Sequence, residues 1–338
     1  MIYQTPQQKH KMKIQMKRQL RIRLKIAIAL TLILVFVFNA TACAGIKQYL
    51  WPEPTTAGPQ APTSDITVVP GWSIYQIAKA LEEGNVCSAE SFLKAANNIP
   101  AGYDTLLDGL GDTRGYVFAA EGYILPNTYN MYQDRDGEYA IRYFLSESQK
   151  KLNEISNDEG QTAFARAEEL GMNMHEIFTL ASIIQYEANL GSSDEDKKTM
   201  QDVSSVFTNR LNSPWNYPYI GSDATRKYIQ LKLGDYFVEQ GIYKLNENST
   251  GDNDKYIVLD QETYDAYFDL YCTNDEYDHH IKGLPIGPVG APSISAIKAA
   301  LWPSSTSNYY FFTDKDNHYH FYTNINDFQT DWETKYKH

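Results

Sequence analysis

Between residues 174 and 211 the chain carries two long runs of apolar positions at helical spacing. In "LASIIQYEANLG", residues 180–191, Leu180, Ile183 and Ile184 recur at offsets of three and four, and Glu187 takes the next place on that stripe. The spacing predicts a helix from about Asn173 to Asn189, stopped by Gly191. In "KKTMQDVSSVFTNRLN" the residues Met200, Val203, Val206, Phe207 and Leu211 mark the inner face of a second helix. Further upstream, "DITVV" alternates as a strand does, and Pro70-Gly71 turns the chain. Ile74, Ile77, Ala78 and Leu81 then form a helical stripe that Gly84-Asn85 ends, with Ser88 placed to cap the next helix. Helical patterns also lie near 138–153 and 161–170. Beyond the helix that ends near Leu211, loops rich in Tyr, Pro and Gly lead to "GLPIGPVGAPS" and the short helix "ISAIKAALW". Two strand-like runs, "YYFFTD" and "HYHFYTN", flank Asp316-Asn317 as a hairpin would. Helices and strands follow one another without a βαβ rhythm, so the fold class is α+β.

A different pattern stands at the N-terminus. Residues 26–46, "IAIALTLILVFVFNATACAGI", contain no charge and as a helix would span about 30 Å, enough for a bilayer core. The first 25 residues hold eight of the 30 Lys and Arg and none of the 42 Asp and Glu. That asymmetry predicts a cytoplasmic N-terminus and an extracytoplasmic body on a single-pass transmembrane anchor. A cleaved signal, or lipidation at Cys43 in "ATAC", is the alternative reading of the same segment. "WPEPTTAGPQAPTS" follows as an extended spacer over residues 47–64. A formal net charge of −12, with the basic groups gathered at one end, excludes a nucleic-acid surface on the body. With three cysteines and no paired Cys or His spacing, no structural metal is expected, and Cys87 and Cys272 are left free to pair.

Several stretches together resemble the MltG or YceG-like family of endolytic murein transglycosylases, from about residue 65 to the C-terminus. "ITVVPGWSIYQIAKAL" is similar to that family's LysM-like opening module, here bounded at 65–100, with 101–338 as the catalytic domain. "EGYILPNTY" resembles its E-G-Y-x-x-P-D-T-Y signature, with Asn127 in place of Asp. "LASIIQYEA" resembles A-S-I-[IV]-E-x-E-x, with Gln185 replacing the first Glu and Glu187 matching the second. "VSSVFTNRL", "GSDAT" (Ala224 for Pro), "YDHHIKGLPIGPVGAPS" (Asp278 and His280 for Asn and Tyr) and "YYFFTDKDNHYHFYT" follow in the family's order.

The resemblance implies that Glu187 is the catalytic acid/base. An acid that protonates a leaving glycosidic oxygen needs a pKa above the ordinary value of about 4.3, which an apolar helix edge supplies by desolvation. Without the resemblance, a Glu at the end of a stripe that bends out to water remains the simpler reading. Glu121 could bind sugar hydroxyls or cap its own turn, and Ser222 and Asp223 could contact sugar or fix a loop. Tyr129 could stack on a sugar face, and Tyr277 and His280 belong to a loop expected at the cleft. Asn209 and Arg210 are expected to hold neighbouring loops, and Gly283, Pro285, Gly287 and Pro288 to shape backbone. The implied substrate is peptidoglycan glycan strands, cut beside the cytoplasmic membrane and close to peptidoglycan synthases, without a cofactor. A hydrolase pairing Glu187 with Glu121 or Asp223, and a noncatalytic glycan-binding scaffold, are the rival readings.

Overall fold

The computed structural model describes residues 61–188, 191, 193–274 and 281–336 of the chain. The basic arm, the apolar span with Cys43 and nearly all of the spacer lie outside the described residues, as do Tyr277, Asp278 and His280. Among the described residues no helix is long and apolar enough to cross a membrane. Strands there pair in three separate two-stranded antiparallel sheets amid helices, an α+β arrangement.

Strand β1 (Thr63–Val68) turns Ile66 and Val68 inward and the residues between them out. Helix α1 (Ile74–Glu83) starts at a capping box, Ser73 with Gln76, and buries the whole stripe Ile74, Ile77, Ala78 and Leu81. Ser88 caps α2 (Ala89–Asn97). The sheet partner of β1 is β2 (Asn127–Tyr132), with Ile66 opposite Tyr129 and Val68 opposite Asn127. Residues 65–100 therefore hold only three of the four elements of this βααβ unit. Its closing strand comes from the second half of "EGYILPNTY", after an inserted stretch, because a lone strand needs a pairing partner for its backbone groups.

Helices α3 (Gly137–Asn153) and α4 (Ala163–Leu170) follow, with Phe144 of α3 edge-on to Phe92 of α2. Helix α5 (Met174–Glu187) begins at a second capping box, Asn173 with Glu176. It is not a one-sided helix. Every residue from Met174 to Gln185 except Glu176 is buried, as expected of a helix packed on all sides. Its polar members are paired within the core. Ser182 Oγ donates to Thr179 O at 2.7 Å and accepts the Val289 N–H at 2.9 Å, and Gln185 Oε1 accepts the Ser293 N–H at 3.0 Å. Helix α6 (Asp194–Leu211) packs on α5 with Met200, Val203, Val206 and Phe207 buried.

The Tyr-rich stretch beyond α6 contains regular structure where the sequence shows only loops. Helix α7 (Asp223–Lys227) runs into a π-helical turn (Tyr228–Lys232), then α8 (Gly234–Glu239). Strands β3 (Tyr243–Leu245) and β4 (Tyr256–Val258) form a hairpin before α9 (Gln261–Tyr271). Phe237, Tyr243, Tyr264, Tyr267 and Phe268 hold these pieces together ring against ring. Helix α10 (Ile294–Leu301) lies against α5 and α6. The hairpin β5 (Tyr310–Thr313) and β6 (Tyr319–Tyr322) turns through Asn317 at φ 63°, a conformation Asn tolerates, and α11 (Ile325–Asp331) follows. Cys87 and Cys272 are both buried and free, so the pairing left open by the sequence is not made.

Candidate active site

Glu187 is the last residue of α5 and, unlike the core positions before it, keeps partial access to solvent. Its Oε1 accepts the Ser222 hydroxyl at 2.6 Å and, more weakly, the Ala224 N–H at 3.4 Å. Ser222 is buried and caps α7, so its direction is set by the backbone around it. The Gly221 N–H donates to Thr273 O at 2.9 Å, and the Thr225 hydroxyl donates to Ser222 O at 2.8 Å. On the other side, the main-chain carbonyl of Glu187, an orphan acceptor at the helix end, receives the Tyr319 hydroxyl of β6 at 2.9 Å. Side chain and backbone of the same residue are thus held from two distant parts of the chain.

The electrostatics push one way overall. Burial raises the Glu187 pKa above the ordinary carboxylate value; the Ser222 and Ala224 hydrogen bonds pull it down, the charge of Asp223 pushes it up, and Lys227 pulls it down. Its place at the negative end of the α5 dipole further disfavours the anion. The result is an acid that holds its proton longer than a solvated Glu. Once the proton is given up, a hydroxyl and an N–H already point at the anion. One group is therefore equipped to act first as acid and then as base.

The remaining candidates separate. Asp223 stands in the first turn of α7, next to Ser222, with 45% of its side chain exposed. Asn274 donates to it at 3.3 Å, and Arg226 lies 3.2 Å and Lys227 3.9 Å away. Glu121 is not a substrate ligand. It is 1% exposed, and its carboxylate accepts the Ile74 N–H at the start of α1 (3.2 and 3.1 Å) and the Tyr228 hydroxyl (2.8 Å). Burial, only partly offset by these donors and by Lys232, raises its pKa to about 7. Its task is to pin the βααβ unit to the π-helical turn. Tyr129 is likewise a core residue: it is 2% exposed, its ring meets Phe144 at 4.8 Å, and its hydroxyl donates to Leu125 O. The two departures have different causes: the pairing of β1 with β2 sets Tyr129 opposite Ile66 on the inner face, while Glu121 is enclosed between the start of α1 and the π-helical turn.

Gln185 accepts at the start of α10, from the Ser293 N–H. Asn209 donates to the carbonyls of Thr306 (3.0 Å) and Asn308 (2.9 Å), holding a loop as expected. Gly122, at φ 80°, lies where any Cβ would collide with Pro288, which brings the Glu121 turn and the "GLPIGPVG" loop into direct contact. Tyr319 and Thr273 were not visible as site residues. Tyr319 sits in an alternating strand, and nothing in that pattern says which atom its hydroxyl meets.

Residues 50–334 match the YceG-like family, nearly the whole chain. The chain belongs to the YceG-like family. Among its relatives, the YceG-like chain is 27% identical over 272 residues to proteins named endolytic murein transglycosylase from two strains of Streptococcus pneumoniae, D39 and R6. The match takes in 77% of this chain and 42% of each relative, so it spans less than half of their length. A crystal structure of a yceG-like protein from Listeria monocytogenes superimposes with a TM-score of 0.53 at 20% identity, over 80% of this chain and 76% of that one. The likeness to that structure is one of fold.

Proposed function

We propose that this YceG-like chain is a lytic murein transglycosylase that cuts peptidoglycan glycan strands internally. The observation that carries the reading is the carboxyl of Glu187 at the end of α5, partly open to solvent, with its pKa raised by burial and two donors, Ser222 and Ala224, ready for its anion. In this reading Glu187 protonates the oxygen leaving MurNAc C1 as the bond to GlcNAc breaks. The resulting carboxylate then takes the proton of the MurNAc C6 hydroxyl as that oxygen attacks C1, which closes a 1,6-anhydro ring and returns the proton to Glu187. No water is consumed and no second catalytic carboxylate is required. The half-exposed Asp223 supplies negative charge near the oxocarbenium-like centre.

Ordinary glycosidases use two carboxylates, and Asp223, as the exposed acid nearest in sequence to Ser222, keeps the hydrolase reading in view. Glu121 is sealed in the core and does not serve it. The exchange of Glu for Gln at position 185 leaves a fully buried side chain with a backbone partner, which takes away one argument for an inactive scaffold. For the whole molecule we place the basic arm in the cytoplasm, the apolar span in the membrane and the described residues outside it, near the synthases that make the strands; the charge asymmetry of the first 46 residues supports this. Cleavage in ¹⁸O-labelled water tests the chemistry. A transglycosylase leaves the new MurNAc ends unlabelled and about 20 Da lighter than the labelled reducing ends that a hydrolase would make from the same water.

A further inference from the structure

The two segments that hold Glu187 lie almost a hundred residues apart in sequence; Tyr217 stacks on Tyr309 between them, and a side chain from α6 hydrogen-bonds to backbone carbonyls on both sides. Arg210 stands in the last turn of α6. Its Nη1 donates to Ile220 O, two residues before Ser222, and its Nε donates to Tyr309 O at 2.8 Å, at the root of the hairpin that carries Tyr319. The Tyr309 N–H in turn donates to Tyr322 O at 2.8 Å, so the hold on β5 is passed to β6. The guanidinium lies 5.6 Å from the centre of the Tyr310 ring. It also fits against Gly221, which adopts φ 65° and where an added Cβ would stand 3.1 Å from Nη1.

From this geometry we infer that Arg210 is a positioning residue for Glu187, locking the Ser222 segment and the terminal hairpin into one frame around the acid. The inference rests on the reading of Glu187 given above. A planar fork with donors at fixed angles reaches two carbonyls from different segments at once; a lysine ammonium on a flexible stem does not hold both in register. Asn209, beside it, grips only the Thr306–Asn308 side. Arg210 acts through the Ile220 carbonyl and hence through the Ser222 hydroxyl. The titratable groups that bear on Glu187 directly are Asp223 and Lys227 from α7, Tyr186 from its own helix and Tyr319 from β6.

The test is a ¹³C NMR titration of the glutamate carboxyls in the full chain, with the Glu187 signal identified by its loss in Glu187→Gln. Arg210→Lys is expected to move the Glu187 midpoint upward by about half a unit or more, the direction that follows from loosening a hydrogen bond to the anion. Ser222→Ala moves it the same way. The double variant moves it no further than Ser222→Ala alone, because both changes act on one contact. In strand cleavage, Arg210→Lys lowers kcat roughly tenfold and leaves strand affinity within about threefold. A wild-type midpoint in Arg210→Lys, or shifts that add in full, would overturn the inference. Should Arg210→Lys not fold, Gly221→Ala, which crowds the same guanidinium, is expected to give the same upward shift, and an unmoved midpoint there counts against it equally. These shifts in the variants, together with a wild-type protein that cleaves no strand, would sink the transglycosylase reading and leave the positioning claim standing.

Discussion

The Ser222 hydroxyl donates to Oε1 of Glu187 at 2.6 Å, across the junction between the C-terminal end of one helix and the first turn of another. This contact sets the compromise on which the chemistry rests. Burial and the helix end keep the proton on, while Ser222 and the Ala224 N–H keep the anion tolerable once the proton has gone.

Ser222→Ala removes the stronger of the two donors. A hydrogen bond to a charged group contributes about 1.5–3 kcal/mol, so the Glu187 pKa rises by roughly one unit or more. Cleavage that requires protonated Glu187 in the free enzyme falls away as pH rises through that pKa. The falling limb of kcat/KM against pH therefore moves to higher pH in the variant, while kcat drops about tenfold because the second, base step has a poorer anion site. Steady-state rates from pH 4 to 9 measure both.

Asp223→Asn should act with the opposite sign on the same limb. Its charge pushes the Glu187 pKa up, so its removal lets Glu187 ionise at lower pH, and the falling limb moves down. Loss of negative charge near the oxocarbenium centre lowers kcat by about 10–100-fold. The products remain anhydro ends, which product masses will check.

Tyr319→Phe deletes the hydroxyl that satisfies the Glu187 carbonyl and leaves the ring in place. The cost in stability is about 1 kcal/mol, seen as a lower melting temperature. The kinetic effect falls on kcat, by about three- to tenfold, with strand binding unchanged, since the hydroxyl fixes the backbone of the acid rather than the sugar.

Glu121 gives the protein a pH-dependent stability that is separate from catalysis. Its folded pKa of about 7 lies above the ordinary value of 4.5, so between those pH values the folded protein keeps a proton that the unfolded chain has released. Its contribution is complete below about pH 4.5 and is lost as pH rises through 7, by up to about 3 kcal/mol. Glu121→Gln, which keeps one oxygen to accept the Ile74 N–H and sets an amide against the Tyr228 hydroxyl, whose direction of donation can reverse, should flatten this slope in melts from pH 4.5 to 8. It should also cleave strands within about threefold of the wild-type rate, which a hydrolase pairing Glu187 with Glu121 would not allow.

Where helical spacing and capping agreed, the sequence was legible in detail. The Ile74–Leu81 stripe, the Ser88 cap, the helix start at Asn173 and the Asn317 turn are all readable from neighbouring residues, since each depends on contacts within a few positions. Glu187 stands out as a carboxylate on an apolar row, but the row alone favours a Glu that bends out to water, and only the family resemblance gives it a role. What stayed hidden depends on distant partners. Two expected sugar ligands are interior residues for this reason, Tyr129 through the pairing of its strand with Ile66 and Glu121 through Ile74 and Tyr228. The stretch around β3 and β4 looked like loop because its core is made of Tyr and Phe whose partners lie across the sheet and helix boundaries, whereas α9 does carry a local signal, the aromatic stripe Tyr264, Tyr267, Phe268 and Tyr271 at helical spacing, in place of the aliphatic stripe that marks the other helices. The all-round burial of α5 is equally invisible locally, as the Ser182 and Gln185 partners stand more than a hundred residues away.

The most direct test of the account is mass spectrometry of the muropeptides released from uncrosslinked glycan strands by the full-length protein, beside its Glu187→Gln variant. The account predicts new 1,6-anhydro-MurNAc ends from internal cuts with the wild type and none above background with the variant, although both bind strands alike. Anhydro ends formed equally well by Glu187→Gln would contradict it, because the acid would then have to lie elsewhere.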